Sequence, residues 1–215
     1  MNFITSLAFA SWFSVLVPLG SSFLGKQQRE WKWLRILLIL SFLSDSAGFC
    51  LSKLGYANLW LINIFFLVQF LILVKIFQLI SEGLDGKKHA FFFYLGASIL
   101  IAHAIDFFIT GSTSALNSYS SSFSCLAITI LCLRFFIHIL DRMPTPEIHK
   151  YSMAWLVIAV FLYHSGTFLL FLLNNYILLS DRSIHQSAWA LHNLLNIIKN
   201  ILFALAIWRN LSGNN

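Results

Sequence analysis

Seven apolar segments, each about twenty residues long, constrain this chain more than any other feature of its sequence. An α-helix rises ~1.5 Å per residue, so about twenty apolar residues cross the ~30 Å hydrocarbon core of a bilayer. The segments cover residues 3–24, 34–54, 59–80, 90–110, 116–140, 152–174 and 186–208. The sequence therefore predicts an all-α, polytopic membrane protein whose seven transmembrane helices form a single domain over residues 1–215.

The composition agrees with burial in a bilayer. Of the 215 residues, 59% are hydrophobic and 10% are charged, and the mean hydropathy is +0.79. An ordinary soluble domain carries roughly 25% charged residues. The loops between the segments are short, so we expect no separate soluble catalytic domain. Any signalling activity would then need a separate partner protein at the cytoplasmic face.

Basic residues set the expected orientation, because cytoplasmic loops carry an excess of Lys and Arg close to helix ends. If the amino terminus is outside, the outer loops hold only Lys53 and Arg182. The cytoplasmic loops and tail then hold Lys26, Arg29, Lys32, Arg35, Lys87, Lys88, Arg142, Lys150 and Arg209. We therefore expect the amino terminus outside and the carboxy terminus inside, in a multi-pass protein of the plasma (inner) membrane.

The first segment is expected to be a retained helix. Cleavable signal peptides carry positive charge before their apolar run, whereas here Lys26 and Arg29 follow it. The net charge of +6 does not indicate nucleic-acid binding, because the basic residues lie in short loops beside membrane-spanning segments. The expected partners are the lipid bilayer and a small-molecule ligand.

Two stretches of the chain share a short motif. Residues 43–49 read Leu-Ser-Asp-Ser-Ala-Gly-Phe and residues 162–168 read Leu-Tyr-His-Ser-Gly-Thr-Phe, and each precedes a segment with Trp near its start. The pattern predicts parallel repeats over residues 3–80 and 116–208, joined by a connector helix at 90–110. This 3+1+3 layout is similar to that of the SWEET sugar transporters, although their Pro-Gln loop motif is missing. The resemblance implies transport of a small solute.

Ionisable side chains inside the apolar segments are the candidate functional residues. A charged side chain at mid-bilayer costs ~2.5–3.5 kcal/mol on insertion scales, so it is expected to face the bundle interior. Helical spacing places Ser41, Ser44 and Asp45 on one face of the second helix. The candidate ligand-binding or coupling residues are Asp45, Gln69, His103, Asp106, His164, His192, Asn196 and Lys199.

These residues lie at similar depths. With the amino terminus outside, Asp45, Gln69 and Lys199 lie near the midplane of the membrane. Four other candidates fall in its outer half, namely His103, Asp106, His164 and His192. The pattern predicts a polar pocket that opens outward. An unpaired ammonium in such a setting is costly, so we expect Lys199 to pair with Asp45.

Two functions agree best with this pattern. The first is a sensor or binding protein, in which a ligand in the pocket shifts the helices against a partner. The second is a small-solute or proton-coupled transporter, in which the two repeats supply two conformations and Asp45, His164 and Lys199 act as coupling groups. Symmetry between the repeats would favour the second.

Two further functions have weaker support. The seven-helix ceramidases and adiponectin receptors, which the chain resembles in helix number and in its intramembrane His and Asp residues, imply an intramembrane metal-dependent hydrolase. Their His-x-x-x-His pair is replaced by His192-Asn193-Leu194-Leu195-Asn196, and Asn is a poor zinc ligand. Lys199 in a seventh helix also resembles the retinal lysine of rhodopsins, but residues 60–77 contain no carboxylate as a counter-ion. The sequence leaves any cofactor unknown, and it leaves open whether the protein is an enzyme, with a non-enzymatic role favoured.

Overall fold

The computed structural model describes residues 3–24, 28–85, 89–110, 116–142, 150–179 and 181–212. Within these ranges the backbone is helical apart from short turns and chain ends, and no residue is in a strand. The helices are α1 (Phe3–Ser14), α2 (Leu16–Ser22), α3 (Arg29–Lys53), α4 (Leu59–Asp85), α5 (Ala90–Thr110), α6 (Ser118–Arg142), α7 (Ser152–Leu172), α8 (Asn174–Leu179) and α9 (Arg182–Leu211).

Seven stretches of the described chain are long and apolar enough to cross a membrane. They are Phe3–Ser22, Arg29–Lys53, Leu59–Leu84, Phe91–Ile109, Ser118–Asp141, Ser152–Leu172 and Ser183–Leu211. Helices suit a bilayer because they satisfy their backbone hydrogen bonds internally. The prediction of an all-helical protein with seven membrane-compatible helices is thus confirmed. The expected orientation stays a prediction, and Lys26, Lys87 and Lys88, which contribute to it, lie outside the described residues.

The first span is divided into α1 and α2 at Val15. Pro18 has no backbone N–H to donate to the carbonyl of Ser14, and its ring crowds that carbonyl. The Leu19 N–H still donates to the Val15 carbonyl at 3.1 Å, and the Ser14 hydroxyl donates to the Ser11 carbonyl at 2.6 Å. The interruption therefore stays within a single membrane span.

The end of α3 has a clear local cause, and the connection after α7 differs from the predicted loop. Gly55, at φ +77°, follows α3, and the Tyr56 N–H donates to the Leu51 carbonyl at 2.9 Å. This left-handed residue closes the helix because glycine has no Cβ to oppose it. Residues 174–185 were expected to form a loop, but they contain α8 and the start of α9. Only a turn at Leu173 separates α7 from α8.

Five helices surround a central space, with α5 and α6 outside this ring. In the ring, α1 contacts α9 and α3, α3 contacts α4, and α7 contacts α9. Phe66 of α4 and Phe171 of α7 complete it, with ring centroids 5.0 Å apart. Outside it, α5 packs against α4 and α6, and α6 packs against α4 and α7. The two-repeat arrangement, with the fourth span as its connector, stays a prediction.

α7 is the most deeply buried helix of the ring. Its Ala154, Leu156, Val157 and Ala159 have no exposed surface, and α6 and α9 pack on its sides. Gly166 allows α9 to approach closely, because a Cβ at this position would lie only 2.7 Å from Cδ1 of Leu195. These contacts fix the faces of α7 and α9 that meet the central space.

Candidate functional site: a polar cavity inside the helix ring

A cavity of about 420 Å³ lies inside the ring and is lined by α1, α3, α4, α7 and α9. Its volume lies within the roughly 300–1,000 Å³ of small-molecule sites. Five of the predicted site residues line it, namely Asp45, Gln69, His192, Asn196 and Lys199. Each helix directs these polar groups inward because its opposite face carries large apolar side chains that suit lipid.

The cavity reaches one end of the bundle. Its lining includes Thr5 near the start of α1, Lys53 at the end of α3, Asn58 just before α4 and Trp189 near the start of α9. Successive spans alternate in direction, so these residues share one end. Among the described residues, the opposite end carries Arg29, Lys32, Lys150 and Arg209, which are expected to be cytoplasmic. The inner end of the cavity is near Lys199, about halfway along α9.

Asp45 and Lys199 face this same cavity without a direct ion pair. The two groups interact electrostatically, but among the described side chains no nitrogen–oxygen contact within 4.0 Å joins them. Instead, Nζ of Lys199 lies over the ring of Tyr163, 4.2 Å from its centroid, which is a cation–π contact. The expected direct pairing is therefore absent, and the space between the two charges is part of the cavity.

Aromatic side chains form much of the remaining wall. Trp12 stacks on Phe49, with ring centroids 5.2 Å apart, and Phe9 meets Phe49 edge-on at 5.7 Å. On the α7–α9 side, His192 lies 5.7 Å from Tyr163 and 5.3 Å from Trp189. We call Phe9, Trp12 and Phe49 the aromatic wall. The cavity thus combines opposite charges, uncharged polar groups and ring faces.

Asn196 and Asn200 attach α9 to the first span. Nδ2 of Asn196 donates to Oγ of Ser11 at 2.9 Å, and Nδ2 of Asn200 donates to Oγ of Ser14 at 2.7 Å. Such interhelical hydrogen bonds contribute on average ~0.6 kcal/mol each inside membranes. Asn196 therefore has a structural partner as well as a place in the cavity lining.

Beneath the cavity, a floor of Ser41, Gln69 and Lys199 separates it from a second space of about 10 Å³. His164 lines only this smaller space. Its Nδ1 lies 2.8 Å from the Val160 carbonyl, and its Nε2 lies 3.4 Å from Nε2 of Gln69. Nδ1 must donate to the carbonyl, so Nε2 accepts from the Gln69 amide. Below this space, Leu38, Leu73 and Phe203 are buried apolar neighbours.

The remaining predicted site residues, His103 and Asp106, do not line the cavity. Both are buried on α5. Oδ2 of Asp106 accepts from the backbone N–H and the hydroxyl of Ser120, both at 2.9 Å. Asp106 thereby caps α6, as carboxylates at helix N-termini do. The ring of His103 packs against that of Phe70, with centroids 6.0 Å apart. Its buried Nε2 has no hydrogen-bond partner among the described residues.

Sequence reasoning missed several lining residues. Tyr163 precedes His164 in the motif shared by the second and sixth segments, yet it was not chosen because it carries no charge at neutral pH. The aromatic wall was also missed, because apolar rings in a membrane segment look the same whether they face lipid or a cavity. Helical spacing did point to Ser44, which lies three residues after Ser41, and to Asn193, which lies three residues before Asn196.

The arrangement of side chains does not favour a metal centre. Within the ranges that the structure describes, no three His, Cys, Asp or Glu side chains are grouped so that they could hold a metal ion. The cavity is instead suited to an organic molecule that is bound through hydrogen bonds, charges and ring contacts. Comparison of the chain with protein-family models, curated proteins and solved structures finds no match to any of them.

Proposed function

We propose that this protein is a seven-helix membrane sensor or binding protein that takes up a small polar molecule in the cavity between α1, α3, α4, α7 and α9. The observation that carries the proposal is the pair Asp45 and Lys199, which face one cavity of about 420 Å³ without touching each other. We further propose that the cavity opens outward, and that a partner protein at the basic end receives the signal.

A purely structural role explains this pair poorly. Removing a charge from water costs several kcal/mol, and a buried pair offsets this cost only through close contact and further hydrogen bonds. Here Lys199 meets the face of a ring and Asp45 faces open space. Helix attachment alone needs only groups such as Asn200 and Ser14. Groups that bind a ligand, by contrast, are expected to stay available.

Thiol labelling from outside the cell tests whether the cavity is open. In a Cys50→Ser background, we expect Ser44→Cys to react with a charged, membrane-impermeant methanethiosulfonate, because Ser44 lines the cavity. Ser165→Cys is the matched control, since Ser165 is also half-buried but does not line the cavity. If neither thiol reacts, or if both react equally, the cavity does not open to the outside and the proposal fails.

A transporter is the second candidate, and the small space below the floor favours it. A water molecule needs a cavity of about 10–15 Å³, so the polar route continues for roughly one water beyond Ser41, Gln69 and Lys199. A shift of these side chains would connect both spaces. The apolar side chains of Leu38 and Phe203, which line the smaller space, would then close the path.

Labelling at the floor separates the two candidates. Ser41→Cys is expected to react only from outside if the protein is a sensor. A transporter that alternates between two conformations would expose the same thiol to both sides. Inverted membrane vesicles, in which the cytoplasmic face is outside, provide the second measurement. Reaction in both preparations would replace the sensor with the transporter.

A further inference from the structure

We propose that the ligand is a small zwitterion whose ammonium group binds Asp45, whose carboxylate binds Lys199, and whose apolar part packs on the aromatic wall. This inference rests on the proposed function, since it names the chemical class of molecule that the cavity takes. It follows from the charges that face the cavity, the neutral polar groups that line it, and the nature of its walls.

The separated charges are the first step. Asp45 and Lys199 interact electrostatically but do not touch. An ion held at only one of them would leave the other without a partner in a low-dielectric site. A molecule carrying both charges gives each group an opposite charge and adds no net charge. Charge complementarity of this kind provides specificity.

The neutral groups around the pair are the second step. Ser44 and Asn193 line the same cavity and are half-buried. A hydroxyl and an amide both donate and accept hydrogen bonds, so they suit the remaining hydrogens of an ammonium or the second oxygen of a carboxylate. Asn196 uses one amide hydrogen on Ser11, which leaves its carbonyl oxygen to accept.

The walls and the volume are the third step. The aromatic wall supplies ring faces, which attract ammonium groups and also pack against apolar side chains. A volume of about 420 Å³ is at the lower end of small-molecule sites. An amino acid with an apolar or aromatic side chain combines this size with both charges.

Three related probes test the inference with the full chain in lipid nanodiscs. L-Phenylalanine carries both charges, phenethylamine carries only the ammonium, and 3-phenylpropanoate carries only the carboxylate. Trp12 and Trp189 line the cavity, so their fluorescence reports binding, and calorimetry gives the affinity. We expect the zwitterion to bind at least about tenfold more tightly than either singly charged probe, which corresponds to ~1.4 kcal/mol. L-Leucine and L-glutamine test other side chains.

Two variants test which cavity residue binds each charged group of the ligand. Asp45→Asn should reduce the affinity for phenylalanine at least about tenfold, without reducing the affinity for 3-phenylpropanoate. Lys199→Met should reduce the affinity for phenylalanine to about that for phenethylamine. Asp181→Asn and Arg209→Met change charge outside the cavity lining and should leave all affinities unchanged. Equal binding of all three phenyl probes, preference for one singly charged probe, or unchanged affinity in both cavity variants would overturn the zwitterion.

The thiol assay separates this inference from the proposed function. If no amino acid binds while Ser44→Cys still reacts from outside, the cavity is open and only the zwitterion proposal fails. If Ser44→Cys does not react, the proposed function fails as well. If phenylalanine binds and slows the reaction of Ser44→Cys, both proposals are supported. Binding that leaves this rate unchanged would place the ligand elsewhere and overturn the zwitterion site.

Discussion

Lys199 is the single residue on which the functional proposal depends most. The residue is 8% exposed, and its ammonium lies over the Tyr163 ring with no carboxylate within ion-pair distance among the described side chains. A residue retained for stability would be expected to have better partners. Asp106 shows the contrast, because its carboxylate accepts two hydrogen bonds from Ser120 at the start of α6.

Lys199→Met tests this distinction. Methionine fills a similar volume without a charge, so the desolvation cost of the ammonium disappears. We expect a melting temperature, measured on purified protein in detergent, that is equal to or higher than that of the original protein. Loss of one member of a structural ion pair would instead cost about 3–5 kcal/mol. A clear fall in melting temperature would show that Lys199 stabilises the fold.

Asp106→Ala should lower the melting temperature, in contrast to Lys199→Met. The substitution removes the acceptor for the Ser120 N–H and hydroxyl, and loss of a helix cap typically costs ~0.5–2 kcal/mol. We expect a lower melting temperature with unchanged labelling of Ser44→Cys. Ser120→Ala loses the hydroxyl contact with Asp106 but keeps the backbone N–H contact. Its melting temperature should lie between those of the original protein and Asp106→Ala. Loss of cavity labelling in Asp106→Ala would indicate that α5 helps to form the site.

At the scale of whole elements, the close packing of α7 against α9 sets the shape of the cavity. The ring centroids of Tyr163 and His192, which lie on these two helices, are 5.7 Å apart at the cavity wall. Gly166 lies on α7 one turn beyond Tyr163 and touches Leu195 of α9. A larger side chain at Gly166 would therefore move the faces that carry the site.

Gly166→Ala measures this contact. The added Cβ would lie 2.7 Å from Cδ1 of Leu195, so that side chain must move, and overpacking of this kind costs ~1–3 kcal/mol. We expect a lower melting temperature, with part of the loss recovered when Leu195→Ala is added. Gly83→Ala is the control, because a Cβ there meets nothing within 4 Å. Additive effects of the two substitutions would contradict the contact.

The elements themselves were largely predictable from the sequence. Apolar length alone indicated the seven spans, and Pro18 could have indicated the break between α1 and α2. α8 was missed because six residues beginning Asn174-Asn175 are too short for a clear helical period and start with loop-forming residues. The additional turns of α3 before Leu34 were missed because charged residues hide the end of a helix that extends beyond the hydrocarbon.

At the scale of the whole molecule, the order of the helices around the ring determines which of the predicted site residues lie at the same cavity. Asp45, His192 and Lys199, which depth and helical spacing had grouped, line one cavity, and their role in binding stays a prediction. Depth and helical spacing also included His103 and Asp106, because polar residues that avoid lipid look alike from sequence. These two lie on α5, outside the ring, and only the tertiary contacts reveal that difference.

The orientation is a prediction for the whole chain. Because the described residues Arg29, Lys150 and Arg209 lie at the end opposite the cavity mouth, we expect the carboxy terminus in the cytoplasm. A carboxy-terminal green fluorescent protein should fluoresce in bacterial cells, whereas a carboxy-terminal alkaline phosphatase should be inactive. The reverse result would place the cavity mouth on the cytoplasmic side, and outward binding would have to be abandoned.

The most direct test of the central claim is a high-resolution density map of the purified full-length protein in lipid nanodiscs. We expect Asp45 and Lys199 to remain apart, with ordered water or a bound organic molecule in the space between them. A closed interior in which the Asp45 carboxylate contacts the Lys199 ammonium directly, with no space between α3, α4 and α9, would contradict it. The pair would then be a structural ion pair.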